Sequence, residues 1–547
     1  MTMFSQEIRI TNRYLHIPVR NGNPRVTIQM MIDGQLGREF TVDLADVDGT
    51  EWWAFYDVSA FQGQRILLRT VENIPEPQAN WLGGSILQSD DLMGVEDLYH
   101  EKYRPQFHFT AKRGWNNDPN GLVYYQGEWH MFYQHNPFGV KWGNMHWGHA
   151  VSRDLVHWVE LPEALYQKSL KDMAYSGGGL VDFNNTTGWK TGNDDPLVVA
   201  FTSTGRGECL AYSLDCGRTL VEFSGNPILA HQGRDPKIIW YEPGQHWVLI
   251  VYEEPLESGV GSGGHGTTAS FGYAIYTSHN LKEFTRQSFL PGWYECPELF
   301  EIAVEDQPGQ KLWVVYGCTK GQFNSAYQVG RFDGKTFTPV MEPVQAHIGP
   351  AFYAAQIFNH VPDNRRVMLG WLTHADYPGM PFSQGMTVPL ELSLRATVNE
   401  VPPFRLFFNP VKELDYLLVD EIYGENLGTA SANALLARPD LGELLDVQVE
   451  LQASGPISFS VGDYPITWDL EQGEVSFVGK TASLQPGLKK LTLRLLVDRS
   501  VTEVFVDSGR AAFAAMTLFP EKNRLLRLEG IAEQISIRIK TLKSIWD

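Results

Sequence analysis

AVSRDLVHW, residues 150–158, is a strand, a polar turn and a returning aromatic in one short span, the shape of a tight β-hairpin. The unit returns as AYSLDCGRTLVEF (211–223), AIYTSHNLKEF (274–284) and VGRFDGKTF (329–337). A second series precedes these hairpins, where a polar or aromatic residue leads into a strand: Asp118, Ser176, Asp235, Glu295 and Tyr353, at intervals of 58, 59, 60 and 58 residues. Five strand-starts separated by four near-equal steps predict five four-stranded blades around an axis, with equivalent strand-starts meeting at one end of a central channel. Asp118, Asp235 and Glu295 would then face a common pocket although they are far apart in sequence.

Outward from that repeat, residues 8 to about 72 alternate in strand fashion (RVTIQMMIDG, REFTVDLAD, EWWAFYDVS, QRILLRTVE). PEPQ at 75–78 reads as the start of a polar loop running to EKYRPQFHF (101–109). From about 405 a further strand series begins, including LLDVQVELQAS (444–454) and EQISIRIKTL (533–542). The expected architecture is all-β: an N-terminal β-sandwich and linker over 1–98, a five-bladed β-propeller over 99–400, and a C-terminal β-sandwich over 401–547.

Composition narrows the function. With 44 Lys and Arg against 64 Asp and Glu the formal net charge is −20, which disfavours nucleic-acid and anionic membrane partners. The four cysteines, Cys209, Cys216, Cys296 and Cys318, have no metal-ligand spacing and read as reduced thiols, with a Cys209–Cys216 bridge as the alternative. No basic segment followed by an apolar run opens the chain, so it reads as cytoplasmic as it stands, or as secreted or periplasmic if an export signal has been removed.

The chemistry lies in GWNNDPNGL (114–122), GRDPKI (233–238) and WYECPEL (293–299), each an acid followed within two residues by proline. Paired carboxyl groups in one cleft are what glycosidic cleavage requires: one meets the developing oxocarbenium ion and one protonates the leaving oxygen. Taken singly, Asp118 also fits an Asp-Pro-Asn-Gly turn, Asp235 a salt bridge to Arg234, and Glu295 an exposed strand end. His135, His146 and His149 sit on aromatic strand segments and read as packing or hydrogen-bonding residues. Of the Trp52–Trp53 pair, one belongs to a core and the other is a candidate sugar platform.

WNNDPNG, RDP and ECP in this order closely resemble the glycoside hydrolase family of invertases, inulinases and levanases, family 32. Similar segments include NPFGVKWGNMHWGHAVSRDLVHW (136–158), YSGG (175–178), FTST (201–204), GWLTHADYP (370–378) and DRSVTEVFVDSGR (498–510). The resemblance implies a retaining hydrolase with Asp118 as nucleophile, Asp235 as transition-state stabiliser and Glu295 as acid/base. It implies that Asn117, Gln134, Trp142, Ser176, Arg234 and Trp371 line the fructosyl subsite, with Trp115 and Tyr175 as adjoining walls. No cofactor or metal is implied. Glu295 is expected to hold its proton while Asp118 is ionised, their environments pushing the two apart. YSGG and MPFSQGMTVPLEL (380–392) depart from the commonest family pattern near the rim, leaving leaving-group preference open. The N-terminal segments YLHIPVRNGNPR (14–25) and DVSAFQG (57–63) are similar to the extra sandwich of bacterial levanase-like and inulinase-like members, which favours release of fructose from fructan ends. A fructosyltransferase, an inverting arabinan-type hydrolase and a non-catalytic fructan-binding propeller are the alternatives.

Overall fold

The period-two alternation of the first 89 residues buries one face of each strand, and two sheets close on each other. Ser5–Arg9, Arg65–Thr70, Arg25–Ile32 and Gln35–Asp43 form one; Trp52–Asp57, Tyr14–Val19 and Leu87–Ser89 form the other. The structure is a computed structural model and describes all residues except 48, 231, 255–269, 321–323, 347, 398–399, 486–487, 489 and 520–523. Of the tryptophan pair, Trp52 is buried in the sandwich core. The loop expected from PEPQ is instead an α-helix, Glu76–Ser85, whose Ala79 and Leu82 join that core. Prolines are tolerated in a first helical turn, where the missing N–H has no intrahelical acceptor, so Pro75 and Pro77 open the helix rather than break it.

Five antiparallel sheets follow. Their innermost strands are Gly114–Tyr125, Ala174–Tyr175 with Gly179–Val181, Gly233–Tyr241, Glu298–Ala303 and Tyr353–Ile357. The repeated hairpins occupy the outer two strands of the first four blades, such as His146–Ser152 with Trp158–Leu165 and Gly272–Ser278 with Thr285–Pro291. The fourth strand of the last blade is Phe404–Pro410, paired along Leu390–Ala396. Phe404–Pro410, which the division expected at 400 assigned to the C-terminal part, is thus paired into the sheet of the last blade. Phe382–Ser383, from the last blade, pairs in parallel with Gly114–Trp115 and closes the ring.

The inner strands meet so closely that side chains must vanish between them. A Cβ on Gly177 would lie 1.9 Å from the Ala200 carbonyl oxygen, and one on Gly179 would lie 2.4 Å from that of Gly121. Side-chain amides bind the edges left unpaired: Gln356 Nε2 donates to Gly177 O at 3.0 Å, and Asn359 Nδ2 to Gly179 O at 2.7 Å and Ile238 O at 3.1 Å. Lys237 lies buried beside them, donating to Ile357 O at 2.6 Å and pairing with Glu298 at 2.9 Å. Burial pushes the Glu298 carboxyl up to about 7 against the pull of Lys237. One mouth of the channel widens into a cavity of about 880 Å³ edged by Trp240, Trp313 and Arg366. Asp118, Asp235 and Glu295 are not among its lining residues.

In the C-terminal part, Leu445–Val461 and Leu526–Leu542 run beside each other and bend, so that their two halves serve two facing layers. A buried core fills the space between. The layers are tied to the propeller by Asp498, whose carboxylate accepts the backbone N–H groups of Gln106, Phe107 and His108 and bonds the His108 ring at 2.8 Å. The DRSVTEVF segment thus acts structurally, by anchoring the segment that leads into the first blade.

Removing one partner of a buried ion pair leaves the other charge unmatched, at a cost of about 3–5 kcal/mol. Lys237→Met is expected to lower the urea midpoint of unfolding accordingly. The double variant Lys237→Met with Glu298→Leu should recover most of the loss.

Candidate active site

Asp118 and Asp235 stand where their inner strands break step, and Glu295 lies just ahead of its own, Glu298–Ala303. The register with the second strand shifts between Asn116 and Pro119 in the first blade, between Arg234 and Lys237 in the third, and between Tyr353 and Gln356 in the fifth. Such bulges re-aim a side chain out of the strand's alternation. Asp235 (φ 65°), Cys296 (φ 57°) and Ala354 (φ 48°) adopt the left-handed region at these breaks. Asp235 and Cys296 each precede a proline, which ordinarily holds the preceding residue extended. The direction of Asp235 and Glu295 is therefore set by strained residues before the prolines rather than by proline alone, at about 1–3 kcal/mol each. Hydrogen bonds hold the strain in place: Asp235 N–H donates to Thr202 Oγ1 at 3.1 Å, and Cys296 N–H donates to Asp235 Oδ2 at 3.0 Å.

The three acids meet at one mouth of the channel and feel one another's charge. Asp118 accepts from Ser176 Oγ at 2.6 Å and from Asn117 Nδ2 at 3.0 Å. Burial pushes its carboxyl up to about 6; those two bonds oppose the rise and Glu295 adds to it. Asp235 is buried and pushed up chiefly by that burial, with Glu295 and Asp118 adding to the shift and Arg234 opposing it. Glu295 accepts from Arg234 Nε at 3.0 Å and Nη2 at 2.6 Å, and from the Tyr353 hydroxyl at 2.7 Å. Arg234 also reaches Glu254 at 2.6 Å and Tyr294 at 3.1 Å. Asp118 and Asp235 are thus both displaced upward, and at Asp118 burial outweighs its two donors.

Aromatic rings edge the same mouth. Trp115 donates to Asn117 Oδ1 at 2.8 Å and meets Trp371 edge-on at 5.9 Å. Trp371 in turn packs against Tyr353. Trp142, 48% exposed, meets Tyr175 edge-on at 6.0 Å. Trp147 is wholly buried and donates to Tyr175 O at 3.0 Å, a packing role. Gln134 lies behind the rim, buried, with Nε2 donating to Ala174 O at 3.0 Å, so it braces the strand before Ser176. Sequence reading did not single out Thr202, Tyr294 or Glu254, although Thr202 lies within FTST and Tyr294 within WYECPEL; Glu254 lies in no quoted motif. Tyr353 had a signal, as the fifth strand-start.

The histidines serve packing. His135 bonds Arg113 O, His146 bonds Asn144 O, and His149 pairs with His130 at 3.2 Å. The ligand atoms of Glu128, His130 and Cys216 come within 4.8 Å of one another at the edge of the first blade, but the Arg218 guanidinium already occupies the Glu128 carboxylate at 2.7 Å. All four cysteines are free thiols.

A cleft with several acids, one bridging guanidinium, hydroxyl and amide donors and flanking aromatic rings suits a polyhydroxylated ligand and acid–base chemistry on it. Comparison with known proteins agrees. Residues 108–402 match the profile described as Glycosyl hydrolases family 32 N-terminal domain, and 446–543 match Glycosyl hydrolases family 32 C terminal. A levanase of Bacillus subtilis is 36% identical over 504 residues, covering 82% of this chain and 72% of its own. An extracellular exo-inulinase of Aspergillus niger is 29% identical, covering 82% of this chain and 96% of its own. Among solved structures, the exo-inulinase of Aspergillus awamori superimposes with a TM-score of 0.70 at 26% identity, over 82% of this chain and 100% of its own. A fructofuranosidase of Schwanniomyces occidentalis complexed with fructosylnystose gives 0.70 at 25% identity, over 81% and 98%. With its propeller, its C-terminal sandwich and its acids converging on one mouth, the chain belongs to glycosyl hydrolase family 32.

Proposed function

We propose that this glycoside hydrolase releases fructose from the non-reducing ends of fructans, with retention of configuration and with side activity on sucrose. The observation that carries the reading is the convergence of Asp118, Asp235 and Glu295 on one aromatic-walled mouth. The similarity to a levanase and to exo-inulinases supports fructan over sucrose as the preferred substrate. In this mechanism Asp118 attacks the anomeric C2 of the terminal fructosyl unit while Glu295 gives its proton to the departing oxygen. Water, deprotonated by Glu295, then releases fructose from Asp118. Asp235, held by the Cys296 N–H, accepts hydrogen bonds from fructosyl hydroxyls and gains strength as the ring becomes cationic. Ser176 and Asn117 keep the attacking carboxylate oriented. Arg234 steadies Glu295 from one side and Tyr353 from the other.

Attack requires Asp118 ionised, and burial raises its pKa to about 6 in the free protein. The active form is therefore lost as pH falls through that value. Expected in a pH profile of kcat/KM is an acid limb near pH 6, steepening below it to about tenfold per unit; a rate unchanged from pH 7 down to 4.5 contradicts the assignment. Glu295→Gln removes the proton donor and should lower kcat by about 10²–10⁴-fold, while full activity in that variant returns the protein to the non-catalytic alternatives. In timed digests of levan, inulin and sucrose with product sizing, fructose should be the sole early product from both polymers. Early oligosaccharides indicate internal cleavage, and growth of longer chains indicates fructosyl transfer.

A further inference from the structure

Phe138 belongs by sequence to the first blade but by packing to the N-terminal sandwich. It is wholly buried in that core, stacked on Phe40 with ring centroids 3.8 Å apart and 9° between planes, and edge-on to Tyr56 at 5.0 Å. Phe138 opens the loop that carries Trp142. The far end of the loop is fastened to the same sandwich. Asn144 (φ 45°) pairs with the Thr41 backbone as a strand would, its Oδ1 accepting the Thr41 N–H at 2.8 Å and its Nδ2 donating to Thr41 O at 2.7 Å. Asn136 ties the loop across its base, donating to Lys141 O at 2.8 Å and accepting from Asn144 Nδ2 at 2.9 Å. The segment leading to Tyr175 is held likewise: Gln167 Nε2 donates to Glu39 O at 2.6 Å and the Leu170 N–H to Glu39 Oε2 at 3.0 Å. Both rings of the Trp142–Tyr175 pair thus take their position from one strand of the sandwich, Gln35–Asp43.

The sandwich also sends a charged side chain to this rim. Arg25 stands over Gly143, the residue after Trp142, so that a methyl group on Gly143 would come within 3.9 Å of Arg25 Nη1. Its Nε bonds Asp43 at 3.3 Å, its side chain is 46% exposed, and among the described residues its terminal amino groups make no protein hydrogen bond. A free guanidinium edge over the residue that follows an exposed indole is an arrangement suited to a neutral sugar, the ring lying on the indole while hydroxyls accept from the amino groups.

From this geometry we infer that Arg25 and the outer face of Trp142 form a subsite for sugar units of a fructan chain beyond the scissile bond, built by the N-terminal sandwich. The inference rests on the fructan-hydrolase reading and adds to it a chain-length preference. Arg25 is exposed and its replacement should fold normally, which a thermal melt checks. Kinetics of wild type and Arg25→Ala on sucrose and on a long fructan provide the test. The ratio of kcat/KM on the polymer to kcat/KM on sucrose should fall about fivefold, the value of about one net hydrogen bond. The change should appear in KM rather than kcat, with partial recovery in Arg25→Lys. A ratio within twofold of wild type, or an equal loss on both substrates, overturns the inference. Failure of the underlying reading shows separately, as wild-type protein that frees no fructose from either substrate.

Discussion

Charge crowding governs the active mouth. Asp118, Asp235 and Glu295 repel one another in a setting partly withdrawn from water, where the interaction between charges is several times stronger than in bulk solvent. Arg234 makes the arrangement tenable by binding Glu295 with two of its nitrogens while its field reaches Asp235. The remaining relief is uncharged: a serine hydroxyl and an amide on Asp118, a backbone N–H on Asp235, a phenol on Glu295. Each of these donors comes from a different inner strand or its entry, so the electrostatics hold only while the five strands keep their spacing about the axis. The glycines at 177 and 179, the bridging amides of Gln356 and Asn359 and the buried Lys237–Glu298 pair maintain that spacing.

The same crowding makes reactivity dependent on what enters the pocket. Burial holds Asp118 with a raised pKa, whereas positive charge developing on a sugar ring favours its ionised form. The relief on offer is therefore greatest when the sugar most resembles an oxocarbenium ion, which is the condition for lowering a barrier rather than merely binding a substrate.

Much of this was written in the spacing. Intervals of 58–60 residues between polar strand-starts reported the blade repeat, because each blade repeats one hairpin pattern and aims its first residue at the axis. The identity of the acids was legible for the same reason, with family motifs supplying their roles. What stayed hidden depended on tertiary context. The bulges at Asp118 and Asp235 need a partner strand to be seen as bulges. The helix at Glu76–Ser85 was masked by two prolines and two glycines, residues whose effect depends on where in a helix they fall. Nothing in the neighbours of Phe138 tells which core it will enter. The depth at which Asp118 lies, which raises its pKa, is likewise set by the tertiary fold and not by its neighbours in sequence.

Phe138 gives the order of residues along the chain a physical meaning. The N-terminal sandwich leaves the ribosome before the propeller, and the early emergence of a domain ordinarily lets it fold alone. Here one aromatic of its core, stacked on Phe40, is encoded beyond the second strand of the next domain. The nascent sandwich carries an unfilled aromatic slot until residue 138 emerges, so its consolidation is timed to the birth of the first blade. Two bodies with separate cores thereby share one commitment step, and the pocket rim is assembled in the act of joining them.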